Sequence, residues 1–153
     1  MKYEEIKAYF EDKEIGLVNL LKNTEEVRDA IEDYTQQLMS NIITTTEDYR
    51  EALNKLDGYY GYVATIAGIA EVYADSQEAN EILNAKKPTA DGSKPPTDEV
   101  AKSIARVNSA EYQRIANLFD RYSRICEKRM MTIQSQLNRI EFEIKSRNSK
   151  INE

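Results

Sequence analysis

The chain has 153 residues and a net charge of −6, and 41% of it is hydrophobic when its ten tyrosines are counted. It holds no His, no Trp and a single Cys, so imidazole catalysis, Cys–His nucleophiles, Cys/His zinc sites and a disulfide framework all lack their residues. An apolar content this low fills a narrow seam more readily than a wide core, and the composition points to a soluble helical protein that is not an enzyme.

The opening MKYEEIKAYFEDKEIGLVNLLK has no basic segment followed by an apolar one, so it does not read as a secretory signal. No run approaches the ~18 apolar residues of a membrane span, and a lone Cys126 fits a reducing compartment. The expected location is the cytoplasm, without membrane association. Charge is divided along the chain: residues 1–99 carry a net −11 and residues 100–153 a net +5.

In the first segment Tyr3, Ile6, Phe10, Leu17 and Leu20 share a phase, which predicts a short amphipathic helix over about 2–22. Steps of three and four then link Val27, Ile31, Tyr34, Leu38, Ile42, Thr45, Tyr49, Leu53 and Leu56, and continue through Tyr60, Val63, Ala67, Ala70 and Tyr73 towards Leu83. This predicts one long helix over about 24–84, capped by Asn23 or Thr24, with Glu25 and Glu26 at the positive end of its dipole. Gly58 and Gly61, each costing about 1 kcal/mol against Ala, mark either a weak point or a kink, and the phase favours continuation.

All three prolines, Pro88, Pro95 and Pro96, fall with Gly92 and Ser93 in a loop over 85–97. A second long helix over about 98–148 follows, with Thr97 as cap and a stripe running from Val100 and Ile104 through Leu118, Tyr122 and Cys126. The expected fold is all-α: a long antiparallel, coiled-coil-like helical hairpin with a short N-terminal helix, one elongated domain over 1–153. A hairpin buries only a seam, so assembly into a homo-oligomeric bundle is expected, with Met130, Ile133, Leu137, Ile140 and Ile144 as the oligomer seam. A turn centred near residue 91 would set Gly58 and Gly61 against large side chains at 122–125. It would also place Asp48 and Glu51 beside residues 129–134, the acidic arm alongside the basic one.

One basic run, RIANLFDRYSRICEKRM, interleaves Arg114, Arg121, Arg124, Lys128 and Arg129 with Phe119 and Tyr122. Cations to neutralise phosphates and rings to stack bases are what a single-stranded nucleic acid requires, and the cluster of Tyr59, Tyr60 and Tyr62 could add rings. The plainer reading puts Tyr122 in the seam and pairs the arginines with the acidic arm. No Glu-x-x-His pair, EF-hand loop, P-loop or G-x-G-x-x-G occurs, so no metal site or cofactor is expected. The acidic 1–57 region, including Glu25, Glu26, Glu32 and Asp33, could instead imitate phosphates and block the basic cleft of a nucleic-acid enzyme.

The order of features resembles the UvsY-type phage recombination mediators. It is carried by the charged start YEEIKAYFEDKEI, a helix containing ALNKLDGYYG, a polar loop and a closing aromatic, basic helix with YSRICEKR and IQSQLNRIEFEI. The resemblance covers most of the chain as a layout. It implies a small oligomeric helical protein of the host cytoplasm that binds single-stranded DNA and engages a recombinase. This sequence departs from the pattern in continuing its helix well past GYYG and in being more acidic. The competing expectation is a coiled-coil structural or adaptor protein without affinity for nucleic acid.

Overall fold

The structure, a computed structural model, describes residues 3–12, 15–87 and 94–151, with side chains to 147. The fold is all-α. Five helices are seen among the described residues: α1 (Tyr3–Glu11), α2 (Gly16–Asn23), α3 (Glu25–Met39), α4 (Thr46–Ala85) and α5 (Asp98–Ile151). The long pair α4 and α5 packs closely. Of the loop expected over 85–97, Pro88, Gly92 and Ser93 lie outside the described residues, while Pro95 and Pro96 are exposed and non-helical.

Two of the expected helices are broken. The segment read as 2–22 divides into α1 and α2. Asp12 starts the break, its Oδ1 accepting from Ile15 N at 3.2 Å and its carbonyl from Gly16 N at 2.8 Å. Gly16 is needed by close approach: a Cβ there would sit 2.1 Å from the Tyr9 carbonyl oxygen. The helix read as 24–84 is α3 and α4, separated at residues 40–45. Asn41 adopts φ 53, the left-handed conformation that Asn tolerates better than most residues. Ile42 N donates to Gln37 O and Asn41 N to Leu38 O, the two bonds of a Schellman terminus. Thr45 and Asp48 then start α4 with a reciprocal capping box: Asp48 N donates to Thr45 Oγ1 at 3.1 Å, and Thr45 N to Asp48 Oδ2 at 3.2 Å.

Thr24 precedes α3 without capping it; its hydroxyl donates back to Leu21 O, and the Arg28 guanidinium reaches the same carbonyl at 2.8 Å. Gly58 and Gly61 lie inside α4, which is helical through both. They do not face large side chains, because a Cβ at either position would meet nothing within 4 Å.

The chain forms two compact units. The first comprises residues 1–20 and 65–120. Phe10 is its centre, 1% exposed, with its ring 5.3 Å from that of Tyr73 and 6.1 Å from that of Tyr112. Tyr112 also donates its hydroxyl to the Phe10 carbonyl at 3.3 Å. Buried Ala70, Ala74, Ala101 and Ala105 keep this part of the α4–α5 contact narrow. Tyr73 meets Tyr112, Glu78 pairs with Arg106 and Lys86 with Asp98, an antiparallel register centred near residue 92, about one position beyond the expected centre.

The second unit comprises residues 21–64 and 121–153. α3 is added here to the α4 and α5 segments, and Ile31, Leu56, Val63, Cys126 and Ile133 are all fully buried. Burial pushes the Cys126 thiol up to about 11.

Candidate functional site

The basic run divides between the units. Arg114, in the first, is exposed; Arg121, Arg124 and Lys128, in the second, are exposed and Arg129 is half-buried. The buried residues Tyr122, Cys126, Ile133 and Leu137 define one side of α5, and Arg121, Arg124 and Lys128, at i, i+3 and i+7, occupy another. Continued at helical spacing, that outer stripe takes in Met131, Ser135 and Phe142, all exposed; Asp120 and Glu127 stand one helical turn to either side of Arg124, whereas Arg121 and Lys128 have no carboxylate at those spacings. Among the described residues no carboxylate lies within ion-pair distance of Arg121 or Lys128, whereas Arg124 has a partner.

Tyr122 does not belong to this surface. It is 8% exposed and donates its hydroxyl to Glu32 Oε1 at 2.6 Å, with Arg28 also within hydrogen-bonding reach. Burial raises its pKa first and the Glu32 carboxylate second, while Arg28 opposes both. A phenol held in this way cannot offer a face to a base. Tyr59, Tyr60 and Tyr62 are all half-buried, and the Tyr59 ring lies 6.4 Å from that of Tyr34. The expected ring donors are thus largely committed to packing.

Phe142, 72% exposed, is the ring that sequence reasoning missed. It falls out of phase with Leu137, Ile140 and Ile144, and an off-phase aromatic beyond a basic stripe was the available signal. The expected oligomer seam is divided as well. Ile133 and Leu137 are buried by the chain's own second unit, so they are not open to another copy; Met130 and Ile140 are half-buried, and only Ile144 is exposed, at 52%.

A cleft of about 250 Å³ lies in the second unit between the end of α3, the 40–45 connection and the first turns of α4. Tyr34, Gln37, Ile42, Ile43, Asp48, Glu51 and Ala52 line it. The hydrogen bonds from Thr45 hold the Asp48 carboxyl below its ordinary range. Burial, Tyr59 and Glu51 raise the Tyr34 phenol, in that order.

Among the described residues no group of three His, Cys, Asp or Glu side chains could hold a metal ion, and no helix is long and apolar enough to cross a membrane. Comparison with protein-family models, curated proteins and solved structures returns no match for this chain.

Proposed function

We propose that the chain is a non-enzymatic, self-associating helical accessory protein that binds single-stranded nucleic acid along the outer face of α5, in the manner of a phage-type recombination or replication mediator. One observation carries this reading. Arg121, Arg124 and Lys128 share an exposed stripe, Arg121 and Lys128 have no carboxylate three or four residues away on α5, and a row of cations at this spacing suits a polyanion. Phe142, farther along that stripe, supplies the exposed ring on which a base can stack. The layout shared with UvsY-type mediators supports the same class, with a recombinase as the further partner and the host cytoplasm as the location. The net charge of −6 opposes long-range attraction, so binding depends on this local face and is sensitive to salt. Light scattering coupled to size exclusion, with and without an oligothymidylate, tests the proposal. Co-elution of a defined oligomer with the DNA at low salt is expected, and a protein that ignores DNA at low salt overturns it.

A second reading, a helix-docking adaptor, is favoured by a different surface. Val100, Ile104 and Val107, at i, i+4 and i+7 on α5 in the first unit, are 49%, 47% and 74% exposed. Such a stripe suits another amphipathic helix. Assembly abolished by Ile104→Asp, with nucleic-acid affinity absent throughout, would select this reading.

A further inference from the structure

The cleft at the α3–α4 junction has features that neither the fold nor the nucleic-acid reading uses. Its walls combine an aromatic ring, Tyr34, an aliphatic surface from Ile42, Ile43 and Ala52, and two carboxylates, Asp48 and Glu51. No Lys or Arg lines it, and neither carboxylate has a cation within ion-pair distance among the described residues. Asp48 stays ionised because Thr45 stabilises the carboxylate through the capping box. Ile42 lines the cleft and is still 66% exposed, which leaves apolar surface at its mouth.

We propose that this cleft receives a lysine or arginine side chain from a short basic, apolar-flanked segment of a partner protein. The aliphatic stem lies against Ile42 and Ile43, as long cationic side chains cover apolar surface while keeping their heads polar. The charged head sits between Asp48 and Glu51 beside the Tyr34 ring, where ion pairing and cation–π attraction act together. The residues flanking the cation meet the exposed part of Ile42. That apolar mouth is the reason for assigning a peptide rather than a free amine. With a polyanion face on α5, the second unit then carries binding surfaces of both signs, as suits a protein that holds a basic partner near nucleic acid. The cleft itself does not depend on the nucleic-acid reading.

The test is an amide NMR titration of the full-length chain at low salt, without nucleic acid, using acetyl-Leu-Lys-Leu-amide, its norleucine analogue and n-butylammonium chloride. Saturable shifts at Tyr34, Ile43 and Glu51 with the lysine peptide are expected, with a Kd on the order of 1 mM. The norleucine peptide should produce none, and butylammonium should bind about tenfold more weakly. Glu51→Gln, at an exposed position, should weaken the peptide about tenfold, and Asp48→Asn should also weaken it while preserving an Asx cap. Absence of saturable shifts with the lysine peptide overturns the proposal. So does butylammonium binding as tightly as the peptide, which would make the occupant a free amine. The same amides shifting on dilution without any peptide would make it a second copy of the chain, and would equally overturn the proposal.

Discussion

The phenol of Tyr122 donates a 2.6 Å hydrogen bond to Glu32 Oε1, tying the buried side of α5 to α3 within the second unit. A bond to an ionised acceptor is worth about 1.5–3 kcal/mol, less where water shares it, and Glu32 is exposed. Tyr122→Phe should therefore lower stability by about 1 kcal/mol, read as a urea midpoint. Nucleic-acid affinity should be unchanged. A large loss of affinity with stability intact would return Tyr122 to the binding face.

Glycine substitutions should separate sharply. Gly16→Ala places a methyl against the Tyr9 backbone at 2.1 Å, so α1 or α2 must shift, and a loss of about 1–3 kcal/mol is expected. Gly61→Ala puts a methyl into open space in mid-helix and should stabilise by up to about 1 kcal/mol. Thermal melts of the two variants check this, and a destabilising Gly61→Ala would show that something approaches that face.

These glycines also show what the sequence conveyed. The all-α class and the start of α5 followed from periodicity and from the proline-bearing connection. The α3–α4 break did not, because Ile42, Thr45 and Tyr49 keep the helical phase across a terminus that contains neither Gly nor Pro. Its signals were subtler: Asn41 as the left-handed terminator, and Thr45 with Asp48 as a capping box. The cleft formed by that break was illegible for the same reason. On α5, counting charges grouped Arg114, Arg121, Arg124, Lys128 and Arg129 but could not say which of them are exposed or which way Tyr122 faced. That depends on α3 packing beside it.

The connection itself can be tested. Thr45→Ala removes the acceptor for Asp48 N and should cost about 1 kcal/mol. Asn41→Gly relieves a positive φ and should be neutral or slightly stabilising, whereas Asn41→Val should be clearly destabilising. A denaturant midpoint at or above the parent's for Asn41→Gly, and lowered midpoints for Thr45→Ala and Asn41→Val, would support the terminus described; indifference to Asn41→Val would contradict it.

Alkaline pH should destabilise the protein. The Cys126 thiol, raised from 9.0 to about 11, binds its proton more tightly folded than unfolded. Its contribution is fully present below about pH 9 and is lost as pH rises through about 11. Tyr34, Tyr112 and Tyr122 are raised as well, and act in the same sense above their ordinary value of 10.0. Urea midpoints should fall between these pH values, less steeply in Cys126→Ala, and native Cys126 should resist a thiol reagent at pH 8. A midpoint flat to pH 11 would contradict the shift.

The central claim is that the outer face of α5 binds single-stranded nucleic acid through Arg121, Arg124 and Lys128. Fluorescence anisotropy of a labelled oligothymidylate, followed from about 50 to 200 mM salt, tests it most directly. If each cation neutralises one phosphate, these three contribute about −2 to the log–log slope of affinity against salt. The triple variant Arg121→Glu, Arg124→Glu, Lys128→Glu should lose that part of the slope and most of the affinity while keeping its fold by circular dichroism. Equal affinity and equal slope in the triple variant would contradict the assignment, and no binding by the parent protein at the lowest salt would contradict the function.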